Sequence, residues 1–424
     1  MSWDVNVNRE GRPVKFRVSV VIPSLNRAQY IEECIDSARN QTLRDIEIIC
    51  VDAGSTDGTA QIIERKMADD PRIRLIRSEK KSYGHQVNIG FSAARGEYVA
   101  ILESDDVIDS DMYRSLVGIA DSTRVDFVKA DFCRFCEKGG KIVESRDAIA
   151  RPGMYGQVLD VAIHRQEVFR FVKLYTWSGI YRLSFIRKYG ICHNETPGAS
   201  YQDNGFWMLT TAFANTIYLY KPERPFYKLR RDNPQSSFYS KGKVWCIRDE
   251  YDFVDSFLEK YPDVKQTVSI WCWWARIGAY AFTYRRIAPK YRAEFARHFQ
   301  EILIAAGENI KREHYGAETW NLISAIRTDP SDENPELIRI MRDNRTASLL
   351  LRIKWCYQDN GLFYTIRHIL LYPFAVFARR KTSTNDNSKD VQVRAPDEAL
   401  RGVVVESKVQ FIGAGSPVPA ERSF

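Results

Sequence analysis

Short apolar runs alternate with helix-like segments from Arg17 to about Lys129, and this alternation limits the fold more than any other feature of the chain. The apolar runs extend from Val18 to Pro23, Ile46 to Val51, Ile73 to Ile76 and Tyr98 to Leu102. Apolar runs without polar interruption are typical of strands that are buried on both faces of a sheet. Because helical segments lie between them, the pattern predicts right-handed β–α–β crossovers. We therefore predict an α/β fold with a doubly wound, mostly parallel sheet.

Polar residues follow the second and fourth apolar runs. Asp52 comes directly after the second run, and three carboxylates that we call the acidic cluster (Glu103, Asp105 and Asp106) follow the fourth. Ligands of such sheets bind beyond the carboxyl ends of the strands, so these groups are expected at one edge. Carboxylates this close together repel one another. They indicate either a divalent cation with an anionic ligand or a solvated acidic turn before the next helix.

Two common phosphate-binding motifs, G-x-G-x-x-G and G-x-x-x-x-G-K-[ST], are absent from the sequence. Their absence disfavours an ordinary dinucleotide site and a P-loop. The interpretation that is left is a nucleotide whose polar groups meet Asp52 and Asp57, with its phosphates bridged by a cation at the acidic cluster.

Three segments together resemble family 2 glycosyltransferases of the GT-A fold. They are Val20 to Asn26, Val51 to Gly58 and Leu102 to Asp106. The resemblance extends from about Arg17 to Asp232. It implies a GT-A sheet that carries a nucleotide-sugar, followed here by a C-terminal helical region.

The resemblance also assigns roles to individual residues. It implies that Asp52 contacts the base or ribose, that Asp57 lies in the same pocket, and that Asp105 and Glu103 bind Mn²⁺ or Mg²⁺. The nucleotide-sugar-binding residues that it implies are Pro23, Asn26, Asp52, Asp57, Asn88 and Ser104. Arg230 or Arg231 could neutralise the leaving diphosphate, and we include Arg231 among the nucleotide-sugar-binding residues. The segment from Lys80 to Gly90 matches a Gly-rich family segment beside the nucleotide, where His85 either meets a phosphate or packs at a helix start.

The sequence departs from the family pattern at four points. Ala53 stands where an Asp is usual, and Glu103 replaces the first Asp of the metal motif. Gln202 replaces the first member of an acidic pair that precedes a helix. Asp232 or Asn233 stands where many relatives have a His that binds the metal.

Asp203 matches the second member of that acidic pair, which is the general base in the family. A carboxylate at this point can accept the proton of an acceptor hydroxyl as the hydroxyl attacks the sugar. The alternative is a helix N-cap. The pentapeptide from Tyr201 to Gly205 recurs from Tyr357 to Gly361, and we interpret the second copy as chance.

Trp177 lies in a segment that resembles the lining of the family's acceptor cleft. It either stacks on a sugar or belongs to the core. Asn26 and Gln29 fit a capping box for the helix that follows the first strand.

The remaining features concern the chain as a whole. A net charge of +8 suits an anionic substrate, an anionic membrane or a nucleic acid equally well. Eight cysteines, with only Cys133 and Cys136 as a close pair, indicate packed thiols in a reducing cytoplasm. We predict an N-terminal extension at 1–16, a catalytic domain at 17–240, a helical region at 241–380 and a disordered tail at 381–424. Residues 363–381 form either a helix at a bilayer surface or a core helix.

The leading hypothesis is an inverting, metal-dependent hexosyl- or N-acetylhexosaminyltransferase. Its donor is expected to be a UDP-sugar, and its acceptor a growing surface glycan, free or lipid-linked. No nucleic-acid partner is expected. The protein is predicted to be cytoplasmic, with peripheral contact at the inner face of the plasma membrane as a further hypothesis. The alternatives are a nucleotidyltransferase and a catalytically decayed glycan-binding scaffold.

Overall fold

The computed structural model describes residues 16–138, 141–233 and 243–343. These residues belong to one compact unit. Several predictions lie outside the described residues: the N-terminal extension apart from Phe16, the domain boundary at 240/241, the helix at 363–381, the tail at 381–424 and the second pentapeptide at 357–361.

Two sheets contain the strands of the described residues. The strands are β1 (Phe16–Ser24), β2 (Ile46–Asp52), β3 (Ile73–Arg77), β4 (Gly96–Ile101), β5 (Val107–Ile108), β6 (Phe127–Ala130), β7 (Phe132–Lys138), β8 (Lys141–Asp147), β9 (Val158–Asp160), β10 (Gly179–Arg182), β11 (Thr216–Tyr220) and β12 (Tyr227–Arg230). The larger sheet has the order β3-β2-β1-β4-β10-β6-β11-β9, and the smaller one β5-β12-β7-β8.

Helices cover the larger sheet and form the C-terminal part of the unit. Their bounds are α1 (Ile31–Arg39), α2 (Thr59–Asp69), α3 (Tyr83–Ala93), α4 (Met112–Thr123), α5 (Arg165–Phe171), α6 (Leu183–Tyr189), α7 (Gln202–Phe213), α8 (Cys246–Leu258), α9 (Pro262–Arg286), α10 (Arg292–Ala306) and α11 (Ala317–Thr328). Within the described ranges no helix is both long and apolar enough to cross a bilayer.

The predicted doubly wound sheet is confirmed. Strands β1, β2, β3 and β4 pair in parallel, and β10 runs antiparallel between β4 and β6. Every residue of β2 is buried, as its uninterrupted apolar run predicts. Asp52 is the last residue of β2, and the acidic cluster follows β4. The ends of both strands therefore lie at the same edge of the sheet.

Helix α1 packs on the sheet through one apolar face, with Ile31, Cys34, Ile35 and Ala38 buried. The capping-box prediction is wrong. Helix α1 begins at Ile31 without a side-chain cap, because the Asn26 side chain instead accepts a hydrogen bond from Thr56 N at 2.9 Å.

Helices α8 to α11 form what we call the helical bundle, which has its own hydrophobic core. The longest helix of the bundle, α9, is rich in aromatic residues. Its buried residues Ile277, Tyr280 and Tyr284 pack in the same core as Phe295 and Phe299 of α10. Burial of a stripe of this kind is the usual source of stability for a bundle helix.

Candidate active site

The carboxylate of Asp52 holds the loop that follows β2. It is fully buried, and its Oδ2 accepts hydrogen bonds from Gly54 N and Ser55 N, both at 3.0 Å. Ser55 Oγ donates to Oδ1 at 2.5 Å. A carboxylate directly before a turn commonly accepts backbone N–H groups in this way. Asp52 therefore determines the shape of the loop, and its contact with a nucleotide stays a prediction.

Asp57 joins the loops that follow β1 and β2. Its Oδ2 accepts from Ala28 N at 3.0 Å, and its Oδ1 accepts from Thr59 N and Thr59 Oγ1. Burial raises the pKa of Asp57, but the hydrogen bonds from Thr59 and Ala28 outweigh it and lower the pKa overall. The bonds to Thr59, the first residue of α2, attach the loop to the start of that helix, whose N-cap residue is Gly58.

The C-terminal ends of β1 and β2 are held together by a residue that was not predicted from the sequence. Gln86 of α3 is buried, and its Nε2 donates to Ser24 O at 2.8 Å and to Val51 O at 2.7 Å. Pro23 lies opposite Val51 in the β1–β2 register. Asn26 has a left-handed backbone with φ of 53°, which Asn tolerates better than most residues. The sequence signal that could have identified Gln86 is a glutamine within an otherwise mostly apolar helix.

Asp106 points into the protein and not toward a shared cation. It is 1% exposed, and it accepts hydrogen bonds from Tyr227 Oη at 2.8 Å and from Arg230 N at 2.7 Å. Burial raises the pKa of Asp106 well above its ordinary value, and the charge of Asp105 adds to the effect. Asp106 therefore ties the acidic cluster to β12, which leaves Glu103 and Asp105 as the carboxylates that a ligand can meet.

Glu103 lies at the bottom of the site. Its Oε1 accepts a hydrogen bond from Tyr83 Oη at 2.6 Å. Burial is the main reason that its pKa rises to about 7, and the Tyr83 bond opposes the rise. The negative charges of Asp105 and Asp203 also raise this pKa. Because the charge of Asp203 acts on Glu103, the start of α7 lies near the loop that follows β4.

Asp105 meets one of the residues that stand at the family's histidine position. Asn233 is 1% exposed, and its Nδ2 donates to Asp105 Oδ2. Asp232 instead accepts from Glu137 N at 3.0 Å. Carboxylate and amide oxygens are the ligands that Mg²⁺ and Mn²⁺ prefer, so the donor set of Glu103, Asp105 and Asn233 fits the predicted cation. Within the described ranges, no group of three or more His, Cys, Asp or Glu side chains forms a metal site by itself.

The two arginines after β12 have different surroundings. Arg230 Nε donates to Asp105 O at 2.9 Å, and its guanidinium lies over the rings of Tyr30 and Phe135. Arg230 thus stabilises the backbone of the acidic cluster through its bond to Asp105 O. Arg231 is exposed, and its N donates to Phe135 O at 2.9 Å. Ser104 is 5% exposed between the two candidate ligands. Nucleotide-sugar contacts by Arg231 and Ser104 stay predictions.

Asn88 joins α3 to the loop before α7. Its Oδ1 accepts from His193 N at 2.8 Å, and its Nδ2 donates to His193 O at 2.9 Å. Glu195 in the same loop accepts from Lys80 Nζ and from His85 Nδ1. The backbone of Gly84 also lies against this loop, because a Cβ there would be 1.9 Å from Asn194 O. These contacts favour packing of His85 at the helix start, and a nucleotide contact by Asn88 stays a prediction.

Asp203 is the second residue of α7, and the N-cap position belongs to Tyr201. Its Oδ1 accepts from Asn204 Nδ2 at 3.1 Å. Burial raises the pKa of Asp203, while the hydrogen bonds from Asn204 and the charge of Lys129 oppose the rise. Lys129 is 1% exposed and donates to Lys173 O at 2.5 Å; burial lowers its pKa to about 7, and Asp203 opposes this change. A carboxylate with a raised pKa is a better proton acceptor at neutral pH.

Gln202 organises the loop that leads to Asp203. It is 2% exposed, and its Nε2 donates to Thr196 Oγ1 at 3.1 Å and to Gly198 O at 3.3 Å. Its Oε1 accepts from Ser200 N at 2.5 Å. A glutamate carboxylate could not donate these bonds. The presence of glutamine at this position, where the family has an acidic residue, therefore has a structural reason.

Trp177 belongs to an aromatic group beside β12. It is 8% exposed, stacks on Tyr227 at a centroid distance of 4.2 Å, and contacts Phe132 and Tyr175 edge-on or tilted. Because Tyr227 also bonds Asp106, Trp177 supports the acidic cluster. These contacts favour the core alternative, and acceptor binding by Trp177 stays a prediction.

Comparison with known proteins shows which family this domain resembles. The model of the family described as glycosyl transferase family 2 matches residues 19–182. The chain carries a family 2 glycosyltransferase domain. The matched residues include the loops after β2 and β4 and also Trp177, whereas Asp203 and Asn233 follow them.

Two bacterial relatives match this glycosyltransferase domain. The glycosyltransferase GlyG of Streptococcus pneumoniae is 36% identical over 124 residues, which are 29% of this chain and 41% of that protein. The uncharacterized glycosyltransferase EpsJ of Bacillus subtilis is 32% identical over 182 residues, which are 42% of this chain and 51% of that protein. The chain spans about half the length of the curated relatives it matches.

Solved structures show the same fold. The crystal structure of S. aureus TarS 1–349 in complex with UDP-GlcNAc has a TM-score of 0.57 and 18% identity, and the match covers 78% of this chain and 92% of that chain. The complex of the same protein with UDP has a TM-score of 0.54. The predicted GT-A fold of the glycosyltransferase domain is thereby confirmed.

Proposed function

We propose that the protein is an inverting, metal-dependent glycosyltransferase that moves a sugar from a UDP-sugar to a hydroxyl of a growing surface glycan. The observation that supports the proposal is an electrostatic interaction among three carboxylates, two from the loop after β4 and one from α7. Burial is the main cause of the raised pKa of Glu103, and the charges of Asp105 and Asp203 add to it. Perturbed carboxylates gathered in this way are typical of catalytic sites.

Asp203 is the proposed general base. Its carboxylate accepts the proton of an acceptor hydroxyl while that oxygen forms a bond to the anomeric carbon of the donor sugar. The bond between the anomeric carbon and the diphosphate breaks in the same displacement, and the nucleoside diphosphate leaves with the bonding electrons. One displacement of this kind inverts the anomeric centre.

Asp105 and Glu103, with the amide of Asn233, are the residues proposed to hold Mn²⁺ or Mg²⁺. When bound there, the cation would supply positive charge to the departing diphosphate. Tyr83 and Asn233 fix the two carboxylates through their hydrogen bonds, so the protein's share of the ligand set is already oriented. The diphosphate oxygens are expected to complete the set.

The donor and the location are also proposals. TarS, which has the same fold, was solved with UDP and with UDP-GlcNAc, and this supports a uridine donor. The acceptor is proposed to be a polysaccharide of the cell envelope, free or lipid-linked, that is extended at the inner face of the plasma membrane. The net charge of +8 suits an anionic membrane surface.

The test is an assay for nucleoside diphosphate with a panel of nucleotide-sugars, Mn²⁺ or Mg²⁺, and glycan acceptors. The proposal expects release from at least one donor, suppressed at least about 100-fold by Asp203→Asn and by Asp105→Asn. Asp359→Asn, in the second pentapeptide, is the matched control and should leave release unchanged. Pyrophosphate release would instead support a nucleotidyltransferase, and donor binding without turnover would support a scaffold.

A further inference from the structure

The start of α7 has an unusual backbone that neighbouring groups must hold in place. Tyr201, directly before the helix, has a φ of 66°. A left-handed backbone at a residue other than Gly costs about 1 to 2 kcal/mol. The first N–H groups of any helix also lack partners within the helix. Asp203 lies at this point, so its position depends on what satisfies these groups.

Glu250 of the helical bundle contacts the first turn of α7. It is fully buried in α8, and its Oε1 accepts a hydrogen bond from Gly205 N at 2.8 Å. The approach is close because residue 205 has no side chain: a Cβ there would lie 2.2 Å from Glu250 Oε1. Glu250 Oε2 is buried and has no well-formed hydrogen bond among the described residues, and the side chain of Asn194 acts on the carboxyl group as a second, weaker donor. A buried carboxyl group with so few hydrogen bonds is costly for stability alone.

Three further contacts join the helical bundle and the residues before it to the same turn. Tyr201 Oη lies 3.1 Å from Thr283 Oγ1 of α9. Lys243 Nζ donates to Ala199 O. Asn194 Nδ2 donates to Asp249 O of α8 at 3.0 Å. All of them reach the segment that leads to Asp203, so the C-terminal helices hold the turn from one side.

We propose that Glu250 is a positioning residue that fixes the N-terminus of α7, and with it the Asp203 carboxylate, toward the acceptor. The inference rests on the proposed function, because it takes Asp203 as the base. According to this inference, the helical bundle contributes to the reaction indirectly, by holding α7 in position. Misplacement of a catalytic group by about 1 Å can cost 100-fold in rate.

The electrostatics are compatible with this role. Burial raises the pKa of Glu250 to about 8, the Gly205 N–H and the side chain of Asn194 oppose the rise, and the charge of Asp203 adds to it. At neutral pH Glu250 therefore accepts the hydrogen bond as an uncharged group and adds no second negative charge beside Asp203. A glutamine side chain has an uncharged oxygen of the same reach, so Glu250→Gln should preserve the contact.

The experiment compares Glu250→Ala, Glu250→Gln and a control, Glu301→Ala, whose side chain is 74% exposed on α10. The readouts are kcat for transfer, Kd for the nucleotide-sugar and the melting temperature. We expect Glu250→Ala to lower kcat about 10- to 100-fold with less than about a twofold change in Kd. Glu250→Gln should restore kcat to within about threefold of the native value, and Glu301→Ala should match the native protein.

A double variant separates positioning from general support of the fold. In the Asp203→Asn background, Glu250→Ala should cause no further loss of the residual turnover, because the group that it positions is already disabled. A further loss as large as in the native background would overturn the inference. So would a native kcat in Glu250→Ala while Asp203→Asn is inactive. If Asp203→Asn keeps its turnover, the proposed function itself fails. Should Glu250→Ala not fold, Glu250→Asp, which withdraws the acceptor by one methylene, provides the same comparison.

Discussion

The carboxylates at the two sides of the site differ in how many hydrogen bonds they accept. Asp52 and Asp57, after β2, each accept several bonds from neighbouring backbone and hydroxyl groups. Glu103 accepts one from Tyr83 Oη, and Asp203 is bonded mainly within its own turn. Hydrogen bonds lower the pKa of Asp57, whereas burial raises the pKa values of Glu103 and Asp203. Asp52 and Asp57 thus build the loop after β2, and Glu103, Asp105 and Asp203 are the carboxylates proposed to act in the chemistry.

The largest expected effect concerns the chemical side. Asp105→Asn removes a charged ligand from the candidate cation site while it keeps the size of the side chain. We expect turnover to fall about 1,000-fold or more, because an uncompensated diphosphate is a poor leaving group. The melting temperature should change by only a few degrees. A large fall in the melting temperature together with the loss of turnover would mean that Asp105, like Asp52, mainly supports the structure. The two sides of the site would then not differ as described.

The second prediction uses the pH dependence of stability at Glu250. Its pKa is about 8 in the folded protein and near its ordinary 4.5 in the unfolded chain. Between these values the folded state binds more protons, so the free energy of unfolding decreases as pH rises from about 4.5 to 8. We expect Glu250→Gln to remove part of this decrease, on the order of a few kcal/mol, in denaturant titrations at pH 5 and pH 8. An unchanged slope would show that Glu250 is not a protonated buried group.

The third prediction concerns the structural side. Asp52→Asn keeps one oxygen that can accept the N–H groups of Gly54 and Ser55, but it replaces Oδ1, the acceptor of the Ser55 hydroxyl, with an amide nitrogen. We expect a loss of about 1 to 3 kcal/mol in the free energy of unfolding, since the Ser55 hydroxyl loses its charged acceptor. Chemical denaturation followed by far-UV circular dichroism measures this loss. Full stability together with loss of donor binding would instead make Asp52 a ligand of the nucleotide.

A smaller effect is expected at the position that departs from the family's acidic pair. Gln202→Glu restores the usual acid but removes the donor to Thr196 and Gly198. We expect a loss of about 1 kcal/mol in stability and lower turnover. Higher turnover than in the native protein would mean that the missing acid limits catalysis and that Gln202 is not chiefly a loop residue.

The sheet and its edge could be predicted from sequence because their signals are local. The apolar runs gave the order and almost the bounds of β1 to β4, and the same pattern located Asp52 and the acidic cluster at strand ends. Bonding within the loops could not be predicted, because the side-chain pattern does not reveal whether Asp52 faces its own loop or a ligand. The inward direction of Asp106 depends on Tyr227, far along the chain. The contact of Glu250 with Gly205 joins two helices whose pairing no short-range pattern indicates.

The most direct test measures donor binding and sugar transfer separately in Asp105→Asn and Asp203→Asn. Calorimetry gives the Kd of the nucleotide-sugar with and without Mn²⁺, and single-turnover kinetics give the rate of transfer. We predict that Asp105→Asn loses the metal-dependent part of donor binding, while Asp203→Asn binds the donor with the native Kd and transfers at least about 100-fold more slowly. Native transfer by Asp203→Asn, or an equal loss of donor binding in both variants, would contradict the proposed division of the site.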